Sequence, residues 1–274
     1  MGLRTIFNVN LPQESSTMAR SLSRRRRHQI TQLRRKRKRD KLGQMIVEGV
    51  RGVESAVAAS APLLEIIVTS SAASSPRVQR VLQQASAPVF TVDEAEMAEL
   101  APAETSQGIV AIAETRVADL AELTASERIL ILDGVQDPGN VGTMIRTAAW
   151  FGIGAVVSTR GTAGFFGPKV VRAAAGSLWD VQLATVSDAG PALDYLRIKG
   201  FSFYGADLQG TPAQHWRPGT PSVLVMGSEA HGLSPRVLDF LDERVSIPGA
   251  AGREGAESLN VGVAAGILLF KWCG

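Results

Sequence analysis

Short, nearly unbroken apolar runs recur through the second half of the chain. They are Ile129-Leu-Ile-Leu132, Ala155-Val-Val157, Phe201-Ser-Phe-Tyr204 and Val223-Leu-Val-Met226, with a briefer Val245-Ser-Ile247 near the end. Runs of this length without polar alternation suit parallel strands buried on both faces. Residues 140–151 and 259–271 are patterned as helices between and after them. The first half alternates in the same way. Strands are predicted at 45–49, 64–69, 88–92 and 108–113, and helices at 53–59, 77–84 and 92–100. Alternation of this kind predicts layered α/β structure in both halves.

Four segments follow from this pattern: a basic, flexible arm over 1–42, a small α/β domain over 43–113, a linker over 114–127 and a larger domain over 128–274. Charge separates the first from the rest. Residues 20–41 hold twelve Lys and Arg against one acid, yet the whole chain carries only +3. Runs of like charge repel and tend to fold only on a partner. Arg24, Arg25, Arg26, Arg27, Arg34, Arg35, Arg37 and Arg39 are therefore candidates for holding a nucleic-acid phosphate backbone, where each neutralised phosphate releases counterions. A solvated tail or targeting signal is the plainer alternative. Few aromatics lie among these charges, so base stacking by the arm is not predicted.

Other classes fall away. No apolar stretch reaches the roughly 18 residues of a membrane span, so no membrane partner is expected. Cys273 is the single cysteine, and His28, His215 and His231 are scattered, so neither a disulfide framework nor a metal site is expected. A cytoplasmic location is the natural expectation, and Met1 and Met18 are both candidate starts.

Three loops carry the chemistry, and each leaves an apolar run. Ligands of α/β sheets sit beyond the carboxyl ends of strands, so the three are expected to form one site. The first, Asp133 to Arg146, turns at Pro138-Gly139 and places Asn140 as the expected helix cap. Arg146 then falls about one and a half turns inside, near the helix's positive end. The loop lacks the glycine spacing of a dinucleotide fold and the Lys of a Walker loop. The second, Met226 to Ser234, has Gly227 where a missing side chain would let a ligand touch the backbone, and Glu229 close behind. His231 is expected to be exposed, and Ser234 to cap a helix. The third runs from Ile247-Pro248 through a Gly/Ala stretch to Glu257-Ser258-Leu259-Asn260, with Ser258 and Asn260 able to cap the last helix.

In this order and spacing the three segments resemble the motifs of the SpoU/TrmH family of RNA 2′-O-ribose methyltransferases. Lys169-Val-Val-Arg172 with Ala175-Gly-Ser177 resembles that family's helix between the first two motifs, and Arg172 joins the RNA-binding candidates. The resemblance covers 128–274. More loosely, 43–113 is similar to the family's ribosomal-protein-like (L30e-like) substrate domain. The resemblance implies a mostly parallel sheet with helices on both faces, a deep trefoil knot, a homodimer and S-adenosylmethionine as methyl donor. It also implies that Gly227, Ile247 and Leu259, with Met226 and Pro248 beside them, line the donor pocket. Asn140, Arg146, Glu229, Ser258 and Asn260 become the polar active-site set. Two departures stand out: the stretch from Pro248 to Ser258 is longer than usual, and Gly262 stands where many members have Ser.

A ribose hydroxyl must lie in line with the donor's methyl and lose a proton. The resemblance points to Arg146 for that proton, but guanidinium is expected to stay charged. Arg146 is thus expected mainly to grip phosphate and orient the hydroxyl, with Glu229, water or a transiently neutral Arg146 taking the proton. Structured ribosomal RNA is the first expected substrate and transfer RNA the second. The main alternative is a non-catalytic, dimeric RNA-binding protein. A nucleotide-phosphate enzyme is weaker, because the glycine fingerprint is missing.

Overall fold

The computed structural model describes residues 20–103, 105–250 and 258–274. Met1, Met18, and Gly255 and Glu257 of the third loop lie outside the described residues. The chain opens with β1 (Arg20–Ser21), α1 (Arg24–Gln32), α2 (Lys36–Leu42), β2 (Gln44–Glu48), α3 (Val50–Ala58) and β3 (Leu63–Thr69). Next come α4 (Ser70–Ala73), α5 (Pro76–Gln84), β4 (Val89–Val92), α6 (Glu94–Leu100) and β5 (Ile109–Glu114). Its sheet has the order β1-β4-β3-β5-β2, with β5 antiparallel to both neighbours.

The expectation of a flexible arm is corrected by α1 and α2. Ser23 caps α1 by accepting from the Arg26 N–H at 3.2 Å. Ile30 and Leu33 are wholly buried and pack with Ile46, Ile67, Met97 and Leu100. The arginines divide accordingly. Arg26 meets the buried Glu65 at 2.6 Å, and Arg27 pairs with Glu96. Arg34 donates to the Ala101 and Glu99 carbonyls, and buried Arg39 donates to those of Leu33 and Arg34. Arg24, Arg25, Arg35 and Arg37 stay exposed without such ties among the described residues. A few apolar side chains hidden among the charges were enough to seat this segment on the small domain. The expected linker is also packed: Ala118 donates to the Leu183 carbonyl at 2.8 Å and Leu123 is buried.

The second unit runs through α7 (Leu120–Leu123), β6 (Arg128–Asp133), α8 (Pro138–Trp150), β7 (Ala155–Ser158), α9 (Pro168–Ala174), β8 (Gln182–Thr185) and α10 (Ala189–Ile198). It ends with β9 (Ser202–Pro212), β10 (Ser222–Gly227), α11 (Pro235–Leu238), β11 (Glu243–Ser246) and α12 (Val261–Cys273). All its strand pairs are parallel, in the order β11-β9-β10-β6-β7-β8. The chain steps outward from β6 to β8, then returns past β6 to β9 before filling the gap with β10. That reversal at β6 and β10 opens a crevice at their carboxyl ends. One buried cluster joins Met45, Val47 and Ile109 of the first sheet to Val141, Met144 and Val170 of α8 and α9, so the two units share a core.

Candidate active site

Register brings the first two loops together. Leu132 and Asp133 of β6 lie opposite Met226 and Gly227 of β10, so both chains leave the sheet at one level. Asp133 is buried and ties the exits down. One of its oxygens accepts from the Thr159 hydroxyl at 2.9 Å, the other from the Ser234 N–H at 2.7 Å. Both loops are thereby held against the end of β7.

The second loop folds back as a tight hairpin. Ser228 and Gly232 exchange backbone hydrogen bonds at 2.9 Å, and the Ser228 hydroxyl accepts from the N–H groups of Ala230 and His231. A Cβ on Gly227 would lie 2.4–2.6 Å from the backbone of Gly232 and Leu233. Glycine here admits the hairpin's own return strand, a need that its position in the sequence did not reveal. The hairpin tip presents Glu229 and leaves His231 exposed.

Glu229 begins a directed hydrogen-bond chain. It accepts from the Asn140 amide at 2.7 Å, and the Asn140 oxygen accepts from the Asn260 amide at 3.1 Å. The Asn260 oxygen in turn caps α12, accepting from Gly262 N–H at 2.9 Å and Val263 N–H at 3.2 Å. Capping fixes which end of the Asn260 amide faces Asn140, and so orients the whole chain. Gly262 suits this arrangement, because a Cβ there would stand 3.2 Å from the side-chain oxygens of both Asn140 and Asn260.

Three expectations are corrected here. Asn140 is not the cap of α8: Asp137 is, accepting from the Asn140 N–H at 2.7 Å, which leaves the Asn140 side chain free. Asp immediately before Pro138 was the signal, since Pro favours the first helical position. Because α8 starts at Pro138, Arg146 lies past the first turn, where the dipole's pull has faded. Arg146 is exposed and unpaired among the described residues. It also sits six residues beyond Asn140, about 240° around the helix, and so on another face. Ser258 does not cap α12; Ser234 precedes α11 as expected, though without a side-chain bond.

A cleft of about 580 Å³ opens beside Glu229. Met226, Gly227, Ile247 and Leu259 of the expected donor pocket line it, as does Ser258 of the expected polar set, together with Ala206 to Gln209 of β9, a wall the sequence did not reveal. Pro248 is exposed and is not among the lining residues. Apolar walls with a few convergent polar groups, at this size, suit a small-molecule ligand. Arg146 is absent from the lining, and Arg172 pairs with Glu48 at 3.4 Å.

The model of the SpoU rRNA methylase family matches residues 127–270, more than half of the chain. The chain belongs to that family. A model of the MRM3-like substrate binding domain matches 26–111 of this SpoU-family protein, taking in most of α1 and all of α2. It is 33% identical to the 23S rRNA (guanosine(2553)-2′-O)-methyltransferase RlmP of Bacillus subtilis, over 87% of this chain and 92% of that one. It is also 30% identical to the 23S rRNA (guanosine-2′-O-)-methyltransferase RlmB of Acinetobacter baylyi, over 82% and 95% of the two chains. Among solved structures, AviRb from Streptomyces viridochromogenes in complex with AdoMet superposes with a TM-score of 0.83, 25% identity and coverage of 92% and 97%. An AdoMet-bound rRNA methyltransferase from Sinorhizobium meliloti gives 0.80, 27% identity, and 92% and 95%. Among the described residues no helix is long and apolar enough to cross a membrane, and no acidic, His and Cys groups cluster as a metal site.

Proposed function

We propose that this SpoU-family protein transfers the methyl group of S-adenosylmethionine to a ribose 2′-hydroxyl of structured RNA, ribosomal RNA first and transfer RNA second. The observation that carries this is the hydrogen-bonded series Glu229–Asn140–Asn260, whose Glu229 end lines the apolar cleft while the two asparagines stand behind it. Relatives named as 23S rRNA methyltransferases and AdoMet-bound neighbours support it.

The cleft fits the donor. Ile247, Leu259 and Met226 offer apolar walls to an adenosine, and Glu229 and Ser228 bring acceptors to the same space. When bound, the donor supplies an electrophilic methyl carbon on a sulfonium. Asn140 and Glu229 then orient the ribose hydroxyl, and Glu229 or water takes its proton. Positioning of this kind accounts for a large share of such rate enhancements.

The same proposal includes a homodimer. Trp150, Val263, Ile267 and Phe270 expose apolar surface on α8 and α12, two helices that pack on each other. Arg146 stands one turn from Trp150 on that face, so a dimer carries its guanidinium toward the partner's cleft, where it grips phosphate. The trefoil knot over the C-terminal strands and α12, the L30e-like character of the first sheet and a cytoplasmic location belong to the proposal too. In domain terms, the substrate-binding unit begins at α1 and not at residue 43.

Calorimetry with S-adenosylmethionine is the direct test. Binding that is lost when Leu259, an exposed residue of the cleft wall, is replaced by Asp supports the site, whereas no binding by the intact protein sinks it. Mapping 2′-O-methylation on total RNA from cells with and without the gene then names the target.

A further inference from the structure

A second cleft, of about 570 Å³, opens at the seam between the two units and shares no lining residue with the first. The turn from β2 into α3 forms one wall, with Glu48, Gly49 and Arg51. Arg172 and Trp179 of the catalytic unit form the other, and Gln107 closes the side. The two units touch beside the cleft: a Cβ on Gly176 would lie 2.3 Å from the Ser55 side chain. Half-buried Glu48 braces the floor, accepting from the Ala103 N–H at 3.0 Å and pairing with Arg172 at 3.4 Å.

Each group left facing the cleft suits part of a nucleotide. Trp179 is half-buried and gives an aromatic surface, and bases stack on such surfaces whatever their identity. Gln107 is locked by its oxygen, which accepts from the Val50 N–H at 2.9 Å, so its amide donor keeps a set direction. Arg51 is exposed, and the Arg172 side chain is 48% exposed beside its partner. The start of α3 adds the positive end of a helix. Arg51 also gathers with Arg77 and Arg80 around Glu54, which pairs with Arg77, so three cations against one carboxylate leave net positive charge from the cleft edge along α5. A polyanion can use that track, whereas a free nucleotide cannot. Glu104, between two lining residues, lies outside the described residues.

We propose that the seam cleft is a second RNA subsite, seating one unpaired nucleotide of the substrate away from the methylated ribose. Arg51 and Arg172 hold its phosphates, Trp179 stacks its base and Gln107 donates to the base edge. The proposal rests on RNA being the substrate.

Protein-free ribosomal RNA is the probe, applied to the full chain. Arg51→Glu is expected to weaken RNA binding about ten-fold and to flatten its salt dependence, as loss of a phosphate contact does. Trp179→Leu is expected to weaken binding roughly ten-fold with little change in salt slope, while Trp179→Phe stays near wild type. S-adenosylmethionine affinity, read by calorimetry, shows that each variant is folded and is expected to hold. Photo-crosslinking of wild type with 4-thiouridine-substituted RNA needs no variant, and is expected to label the peptides bearing Arg51 and Trp179. Unlabelled seam peptides, or unchanged RNA affinity in Arg51→Glu and Trp179→Leu, overturn the subsite while wild-type methylation leaves the enzyme intact. Wild-type protein that binds no ribosomal RNA removes both.

Discussion

Asn140 and Arg39 are both polar side chains at helices, both singled out as functional, and their fates differ. Asp137 takes over the capping of α8, so the Asn140 amide is free to reach across to Glu229 and Asn260. Arg39 is buried and spends its guanidinium on the carbonyls of its own chain. Residue type pointed to chemistry in both places. What separates them is whether a neighbour already meets the local structural need, and that decides which polar groups remain for a ligand.

The sharpest test removes the freed amide. Asn140→Ala breaks the link between Glu229 and Asn260 while Asp137 still caps α8. Methyl transfer at saturating RNA is expected to fall roughly hundred-fold, with an unchanged melting temperature. A variant within a few-fold of wild type would leave the hydrogen-bond chain without a role in positioning. Arg146→Ala is expected to be about as damaging, and it also tests where that side chain works. Mixed after unfolding and refolding together, inactive Arg146→Ala and Asn140→Ala chains should recover about a quarter of wild-type activity if each site borrows the partner's arginine. No recovery places the guanidinium in its own chain's site and removes this role for the dimer.

The parallel core was legible because β6, β7 and β10 are buried on both faces and read as plain apolar runs. Loops leaving such strands had to converge, and register did bring Asp133 level with Gly227. Other features were hidden for identifiable reasons. The strand β8 has only four residues and a polar residue at each end, so its signal is weak. In α10, Gly190 and Pro191 read as breakers, but both lie in the first turn, where proline sacrifices no hydrogen bond. Twelve cations masked Ile30 and Leu33, three residues apart on one helical face. Asp133 stood in the sequence only as the start of the first loop; its two-way grip on Thr159 and Ser234 depends on partners 26 and 101 residues away. Local pattern carries the sheet, whereas the site's bracing depends on contacts that no local pattern contains.

A milder pair of variants returns to the basic helices. Arg39→Ala deletes a buried donor and strands two carbonyls, so about 1–3 kcal/mol of stability is expected to go. Arg37→Ala removes an exposed cation with no internal tie and should leave stability alone. RNA affinity should reverse the order: Arg37→Ala weakens binding modestly and lowers the salt slope by about one, while folded Arg39→Ala binds as wild type. Denaturant unfolding and salt-dependent RNA titration read the two effects separately. If both variants lose RNA binding equally, internal pairing is no guide to which arginines meet phosphate.

The smallest effect expected lies at Glu48, where burial and pairing oppose one another. Burial raises its carboxyl above the usual 4.5, while the Ala103 N–H, Arg172 and Arg34 pull it down more weakly. A carboxyl raised on folding favours the folded state when protonated, and that contribution fades as pH climbs through the raised value. Glu48→Gln keeps the shape and can still accept from Ala103, but carries no charge to desolvate. Its melting temperature relative to wild type should therefore rise as pH goes from about 4 to neutrality, levelling once Glu48 is fully ionised. A relative melting temperature that falls over the same range would mean attraction to Arg172 outweighs burial. The seam would then be held by its ion pair, with Arg172 less available to an RNA phosphate.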